Sequence, residues 1–168
     1  MAIVKSGTTG IKRAKVVLLG APGVGKTSLV RRYVHSVFSD QHKSTLGVKV
    51  DRKSISLGDL TVAMLIWDMH GETDGLDVPP NYLSGAAAGL VVFDATRPET
   101  VPVALDLGAR LTEGSPDAKI LYVANKADLD FDLRELTEKL DGQPLQQTSA
   151  KTGDGVEELF IEAATSIS

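Results

Sequence analysis

A glycine-rich segment between an apolar run and an amphipathic stretch constrains the fold of this chain most. Residues 20–27 read GAPGVGKT, the pattern G-x-x-x-x-G-K-[ST] that forms a phosphate-binding loop between a strand and a helix. Glycines let the main chain curve closely around an anion, and the following helix directs its positive dipole end there. Lys26 then supplies charge to the β- and γ-phosphates, and the Thr27 hydroxyl is left to bind Mg²⁺. The segment predicts a nucleotide-binding α/β fold; the alternative is a glycine-rich turn with a chance lysine.

Strand-like and helix-like segments alternate along the rest of the chain, which predicts a mostly parallel sheet covered on both faces. The candidate strands are residues 15–19, 48–56, 61–67, 90–93, 119–124 and 145–147. Only Gly58 and Asp59 separate the second strand from the third, so these two are expected to form an antiparallel hairpin at one edge. The prediction is a six-stranded mixed sheet with about five flanking helices. Residues 14–168 form one domain, and residues 1–13 form a flexible arm.

Composition excludes several classes of function. The chain has 168 residues, a net charge of −4 and no cysteine. An acidic balance argues against a nucleic-acid partner, and no apolar run reaches the roughly 18 residues that span a bilayer. Without cysteine there are no disulfides and no lipidation of a C-terminal cysteine. We therefore expect a cytoplasmic protein with no direct lipid anchor.

A second short motif, residues 67–71 (WDMHG), follows an apolar strand. An aspartate at a strand tip beside a phosphate-binding loop can hold Mg²⁺, often through water, so Asp68 is a candidate metal ligand. Gly71, three residues later, lets its main-chain N–H reach a γ-phosphate.

Two further motifs follow later strands and predict recognition of guanine. Residues 125–128 (NKAD) come after the strand 119–124, where loops line the ligand crevice of a parallel sheet. The carboxylate of Asp128 can accept hydrogen bonds from guanine N1–H and the exocyclic amine, a donor pair that adenine lacks. Residues 148–151 (TSAK) can bring a backbone N–H to the guanine carbonyl oxygen. The alternative for Asp128 is an ordinary surface turn.

These motifs in this order, together with Thr45, resemble the small GTPases of the Ras superfamily, and several stretches are most similar to the Rab branch. The resemblance covers nearly the whole chain from residue 15 to 167. It implies a P-loop G domain that binds GTP or GDP with Mg²⁺. The implied nucleotide contacts are Gly20, Pro22, Gly23, Val24, Gly25, Lys26, Thr27, Ser28, Phe38, Thr45, Gly71, Asn125, Lys126, Asp128, Ser149, Ala150 and Lys151.

The resemblance also implies individual roles. Phe38 lies against the guanine, the alkyl stem of Lys126 lies along it, and Ala150 donates its N–H to it. Thr45 is the switch I threonine, whose hydroxyl binds Mg²⁺ and whose N–H meets the γ-phosphate. The implied metal ligands are Thr27, Thr45 and Asp68, and the implied catalytic residues are Lys26, Thr45, Gly71 and Glu72.

The chain departs from the family pattern at Glu72, where the family usually has glutamine. That glutamine orients the attacking water during GTP hydrolysis. A carboxylate can accept a hydrogen bond from water, but it cannot donate one to the γ-phosphate. His70, just before Gly71, is a weaker catalytic candidate with a titration range near neutral pH.

The leading hypothesis is a molecular switch that binds GTP and GDP, hydrolyses GTP slowly with Mg²⁺, and signals through switch I and switch II. Its expected partners are an effector and, as regulators, an exchange factor and an activating protein. One alternative is a non-hydrolysing guanine-nucleotide-binding scaffold, which Glu72 favours. The other is an ATP-using P-loop enzyme such as a nucleoside monophosphate kinase, although residues 97–113 show no arginine-rich lid.

Overall fold

The computed structural model describes residues 10–35, 47–70 and 77–168, without the side chain of His70. Four predicted site residues lie outside the described residues, and their assignments stay predictions: Phe38, Thr45, Gly71 and Glu72.

Strands and helices alternate along the described residues, as the sequence predicts. In chain order they are β1 (Gly10–Leu19), α1 (Lys26–His35), β2 (Gly47–Leu57), β3 (Leu60–His70), α2 (Pro80–Leu83), β4 (Ala86–Asp94), α3 (Thr100–Gly114), β5 (Lys119–Asn125), α4 (Leu133–Lys139), β6 (Leu145–Gln147) and α5 (Val156–Ile167).

The strands form one sheet in the order β2-β3-β1-β4-β5-β6. β2 pairs antiparallel with β3, and every other neighbouring pair is parallel. Both the predicted hairpin and the predicted mixed sheet with one antiparallel edge strand are confirmed. The carboxyl ends of β1, β3, β4, β5 and β6 therefore lie along one edge of the sheet, the edge at which ligands bind in such folds.

Helices cover both faces of the sheet. Alternate residues of β1 point to opposite faces, so Val16 and Leu18 pack in one core cluster while Val17 and Leu19 pack in the other. The first cluster includes Leu29 of α1 and Phe160 of α5, and the second includes residues of α2, α3 and α4. Burial on both faces explains the continuous apolar run before the glycine-rich loop, because a parallel strand covered by helices has no solvent face.

The first strand begins earlier than the sequence predicts. β1 starts at Gly10 rather than at residue 15, so residues 10–13, which we assigned to the arm, are part of the sheet. They pair in parallel with residues 60–63 at the beginning of β3. Their side chains are exposed and carry no apolar pattern. Backbone pairing extends the strand, and the Lys12 ammonium donates to the carbonyl of Ile167 at the end of α5. Residues 1–9 lie outside the described residues. Within the described ranges, no helix combines the length and apolar character that crossing a bilayer requires.

Candidate functional site

The predicted site residues that the structure describes come together at the carboxyl edge of the sheet. The loop 20–25 follows β1, and Ser28 lies in the first turn of α1. Asp68 lies near the end of β3, Asn125 ends β5, and the segment 148–151 follows β6. Because β1 is next to β3 on one side and to β4 on the other, the loop lies at the middle of this edge.

Lys26 is a partly buried cation at the start of α1. Its ammonium donates to the carbonyl oxygens of Gly20 at 2.6 Å and Ala21 at 3.1 Å. Burial lowers the pKa of Lys26 from 10.5 to about 8, and the charge of Asp68 opposes this shift. Both acceptors are neutral carbonyls, whereas a phosphate carries negative charge. A phosphate bound beside this ammonium would therefore stabilise the charged form of Lys26. The arrangement fits a lysine that binds phosphate.

Two glycines of the loop are required by close approaches of the backbone. A Cβ on Gly20 would lie 2.3 Å from the carbonyl oxygen of Val92, and one on Gly25 would lie 2.2 Å from the side-chain nitrogen of Asn125. Both glycines also have positive φ, at 155° and 100°. The loop can therefore pack against β4 and β5 only with glycine at these positions.

Two residues of the NKAD motif bind backbone carbonyls of the same loop, on the side that we call outer because it faces β5. Asn125 donates from Nδ2 to the carbonyl of Val24 at 3.0 Å, and Lys126 donates from Nζ to the carbonyl of Gly23 at 2.9 Å. In a trans peptide unit the C=O and the next N–H point in opposite directions. Fixing these two carbonyls therefore turns the N–H groups of Val24 and Gly25 to the inner side of the loop. Within the described part of the chain these two N–H groups have no hydrogen-bond acceptor, which fits a cradle for phosphate oxygens.

Thr27 and Asp68, the two described candidates for Mg²⁺, are in contact. The Thr27 hydroxyl donates to Asp68 Oδ2 at 2.8 Å, and Asp68 is almost fully buried. Across the described residues there is no cluster of three or more His, Cys, Asp or Glu side chains that could hold a metal ion. A hydroxyl and a single carboxylate nevertheless fit Mg²⁺, which usually takes few protein ligands and completes its shell with phosphate and water.

The segments 125–128 and 148–151 are joined to each other by side-chain hydrogen bonds. Asn125 Oδ1 accepts from the Thr148 hydroxyl at 3.1 Å and from the Ala150 N–H at 3.3 Å. The Ser149 hydroxyl donates to Asp128 Oδ1 at 2.7 Å and so orients this exposed carboxylate. The structure thus brings the proposed base contacts together. Because the Ala150 N–H already donates to Asn125, its assignment to the guanine carbonyl stays a prediction.

Lys151, the last proposed base contact, is exposed beside this cluster. Arg32 of α1 donates from Nε to the carbonyl of Ala150 at 2.8 Å and from Nη2 to the carbonyl of Lys151. The segment is thereby tied to the helix that follows the phosphate loop.

Sequence reasoning missed Asp94, the last residue of β4. Its carboxylate is 2% exposed and lies 2.9 Å from the ammonium of Lys126. Burial by itself raises the pKa of Asp94, but hydrogen bonds from Thr96, Lys126 and Arg97 outweigh it and lower the pKa to about 2. The available signal was a charged residue ending an apolar strand at the carboxyl edge, next to the strand that precedes NKAD.

Comparison with known proteins agrees with this geometry. The sequence model of the Ras family matches residues 15–168. The Ras-related protein RABF2b of Arabidopsis thaliana is 37% identical over 160 residues, which cover 90% of this chain and 79% of that protein. The Ras-related protein Rab5 of Nicotiana tabacum is 36% identical over 159 residues, with the same coverage. The Ras-related protein Rab-5A of Dictyostelium discoideum is 36% identical over 157 residues, covering 89% of this chain and 78% of that protein.

Proposed function

The chain belongs to the Ras family of GTP-binding switch proteins and is Rab-like, and on that premise we propose that it binds GTP and GDP with Mg²⁺ and hydrolyses GTP slowly. One observation carries the proposal: Asn125 and Lys126, from the segment that would read the base, donate to consecutive carbonyls of the phosphate loop. The segment proposed to read the base is thus joined by hydrogen bonds to the loop proposed to bind the phosphates. This supports a ligand that has both a guanine and a polyphosphate.

In the proposed switch, the described residues bind and orient the nucleotide. Lys26 and the N–H groups of the loop hold the phosphates, Thr27 and Asp68 hold Mg²⁺, and Asp128 reads the base. Bound Mg²⁺ would neutralise charge between the β- and γ-phosphates. Thr45 and Gly71 would connect the γ-phosphate to the two switch segments, so loss of that phosphate would release both.

Unaided hydrolysis is expected at a rate on the order of 10⁻⁴ per second, and an activating protein could raise it by about 10³ to 10⁵. Glu72 favours the second candidate function, a guanine-nucleotide-binding scaffold that does not hydrolyse GTP. Single-turnover assays on wild type and Glu72→Gln separate the two candidates. Measurable cleavage in the wild type supports the switch, whereas tight GTP binding without cleavage supports the scaffold.

Base recognition gives the most direct test of the proposed function. In Asp128→Asn, the loss of two charge-assisted hydrogen bonds should weaken GDP binding about 100-fold or more. The variant should also shift its preference toward xanthosine diphosphate, whose base has a carbonyl where guanine has its amine. Asp130→Asn is a matched control, because Asp130 is also exposed and lies two residues further along the same loop.

Direct titration with fluorescent GDP, xanthosine diphosphate and ADP measures all three preferences. If GDP affinity is the same in Asp128→Asn, Asp130→Asn and the wild type, then Asp128 does not read the base. If ADP binds the wild type as tightly as GDP, the ATP-using alternative replaces the switch.

We propose that the output partners are an unidentified effector, an exchange factor and an activating protein. We further propose that the protein is cytoplasmic and has no nucleic-acid partner. The net charge of −4 supports the second of these proposals, because an acidic protein does not attract a polyanion.

A further inference from the structure

The carboxylate of Asp94 is the centre of a buried hydrogen-bond cluster outside the sequence motifs. Asp94 Oδ1 accepts from the backbone N–H and the hydroxyl of Thr96, at 2.9 and 2.7 Å. Asp94 Oδ2 accepts from Arg97 Nε at 3.0 Å and lies 2.9 Å from Lys126 Nζ. One buried carboxylate therefore holds two cations.

Each of these cations also donates to the phosphate loop, at neighbouring residues. Lys126 donates to the carbonyl of Gly23 at 2.9 Å, and Arg97 donates from Nη2 to the carbonyl of Pro22 at 3.2 Å. A Cβ built on Gly23 would lie 3.4 Å from the same Nη2 atom, so the guanidinium lies against this part of the loop. Lys126 belongs to the NKAD motif, but Arg97 belongs to no motif.

The backbone of Arg97 is itself fixed. Its N–H donates to the carbonyl of Asp94 at 3.0 Å, and its carbonyl accepts from the N–H and the hydroxyl of Thr100, at 2.9 and 2.7 Å. Thr100 is buried at the start of α3. Hydrogen bonds therefore fix both the backbone and the guanidinium of Arg97, and the guanidinium contacts Pro22 from a fixed position.

The direction of the peptide unit gives this contact a consequence for ligand binding. No peptide bond in the described residues is cis, so the carbonyl of Pro22 and the N–H of Gly23 point in opposite directions. Arg97 holds the carbonyl on the outer side of the loop, which turns the Gly23 N–H inward beside those of Val24 and Gly25. Three consecutive N–H groups are then aligned by three side chains, those of Arg97, Lys126 and Asn125.

We propose that Arg97 is a positioning residue for the phosphate loop. Its guanidinium fixes the carbonyl of Pro22, turns the N–H of Gly23 toward the phosphates and thereby slows nucleotide release. The inference rests on the proposed function, since it takes the bound nucleotide to be GDP or GTP. It adds a restraint that the sequence motifs do not contain, supplied by the loop between β4 and α3.

The test is the dissociation rate of a fluorescent GDP analogue, measured with Mg²⁺ present and excess GDP as competitor. In Arg97→Ala, release should be about tenfold faster than in the wild type, equal to about 1.4 kcal/mol. Arg97→Lys should stay within about threefold of Arg97→Ala, because an ammonium is a point charge that lacks the guanidinium fork needed for both acceptors.

Arg134→Ala is the matched control. Arg134 lies on α4, and its Nε donates to Glu138 Oε1 at 3.2 Å, one turn along the same helix. This arginine donates to a carboxylate of its own helix and not to a carbonyl of the phosphate loop, so release should stay within about twofold of the wild type.

A second measurement reports on the loop directly. In amide NMR spectra of the GDP-bound protein, Arg97→Ala should shift the Gly23 resonance more than that of Gly25, whose N–H is aligned by Asn125.

The inference is overturned if Arg97→Ala releases GDP at the wild-type rate, or if Arg97→Lys restores that rate, which would mean that charge alone suffices. Both results leave guanine-nucleotide binding intact. If the wild type does not bind GDP at all, the proposed function fails, and the two failures are therefore distinguishable.

Discussion

The titration of Lys26 provides a quantitative test of the phosphate site. Its pKa is lowered to about 8 by burial, whereas a bound phosphate would stabilise the charged ammonium and raise that pKa. The protein without nucleotide therefore binds fewer protons at this group than the complex does. By linkage, GDP binding must take up a proton, and affinity must fall as pH rises through about 8.

The magnitude follows from the pKa. At pH 7.5 about three-quarters of the free protein would carry a charged Lys26, and at pH 8.5 about one-quarter would. Affinity for GDP should thus fall about threefold across this interval through Lys26 alone, while proton uptake should rise from about one-quarter to about three-quarters of a proton. The pH interval is suitable because the last ionisation of a terminal phosphate has a pKa near 6, about two pH units below that of Lys26.

Calorimetric titration of nucleotide-free protein with GDP, in two buffers of different ionisation enthalpy, measures the uptake directly. Lys26→Met is the control: it should bind GDP more weakly, with an affinity that does not change across the interval. Constant proton uptake in the wild type between pH 7.5 and 8.5 would refute the reasoning, since it would mean that Lys26 is already fully charged or that no phosphate meets it.

Two further predictions concern the supports of the site. Asp94→Asn should lower the free energy of unfolding by about 2 kcal/mol at pH 7, because a pKa of about 2 instead of 3.8 measures how strongly the fold favours the charged carboxylate. Since the folded pKa is lowered, this contribution is present above pH 4 and is lost as pH falls through about 2, so urea titrations of wild type and variant should converge there. Tyr82→Phe should cost about 1–3 kcal/mol in the same assay, because the buried hydroxyl shares its single proton between the carbonyl oxygens of Leu18 and Trp67, at 2.9 and 2.6 Å. An unchanged free energy of unfolding in either variant at pH 7 would contradict the corresponding estimate.

The parts of the site that were predictable from sequence are those in which chemistry is concentrated in short segments. The glycine-rich loop and the NKAD segment each contain their donors within eight residues or fewer, and the alternation of strands and helices places both at one sheet edge. The buried strand 16–19 was equally predictable, because both of its faces are covered and its apolar run is continuous.

The parts that were not predictable depend on contacts between distant residues. Arg97 meets Pro22 across 75 positions of sequence, and nothing local distinguishes this arginine from others in the chain. The start of β1 was missed for a related reason. Gly10 pairs with Leu60 through the backbone, and the exposed residues there show no alternation of apolar and polar side chains. Such contacts depend on the register of the sheet, which cannot be derived from one sequence.

Pro22 explains why phosphate binding by this loop depends on side chains that fix its carbonyls. Proline has no N–H, so the loop has one donor fewer for an anion than the same loop with another residue at that position. The inner surface then depends on the N–H groups of residues 23–25, and each of them is directed by a side chain that holds the preceding carbonyl. Those side chains come from the last residue of β5 and from the loops after β4 and β5, which are separate from the loop that they hold. The phosphate site is therefore complete only when three strand ends are assembled, so we infer that nucleotide affinity is sensitive to residues, such as Arg97, that do not contact the nucleotide.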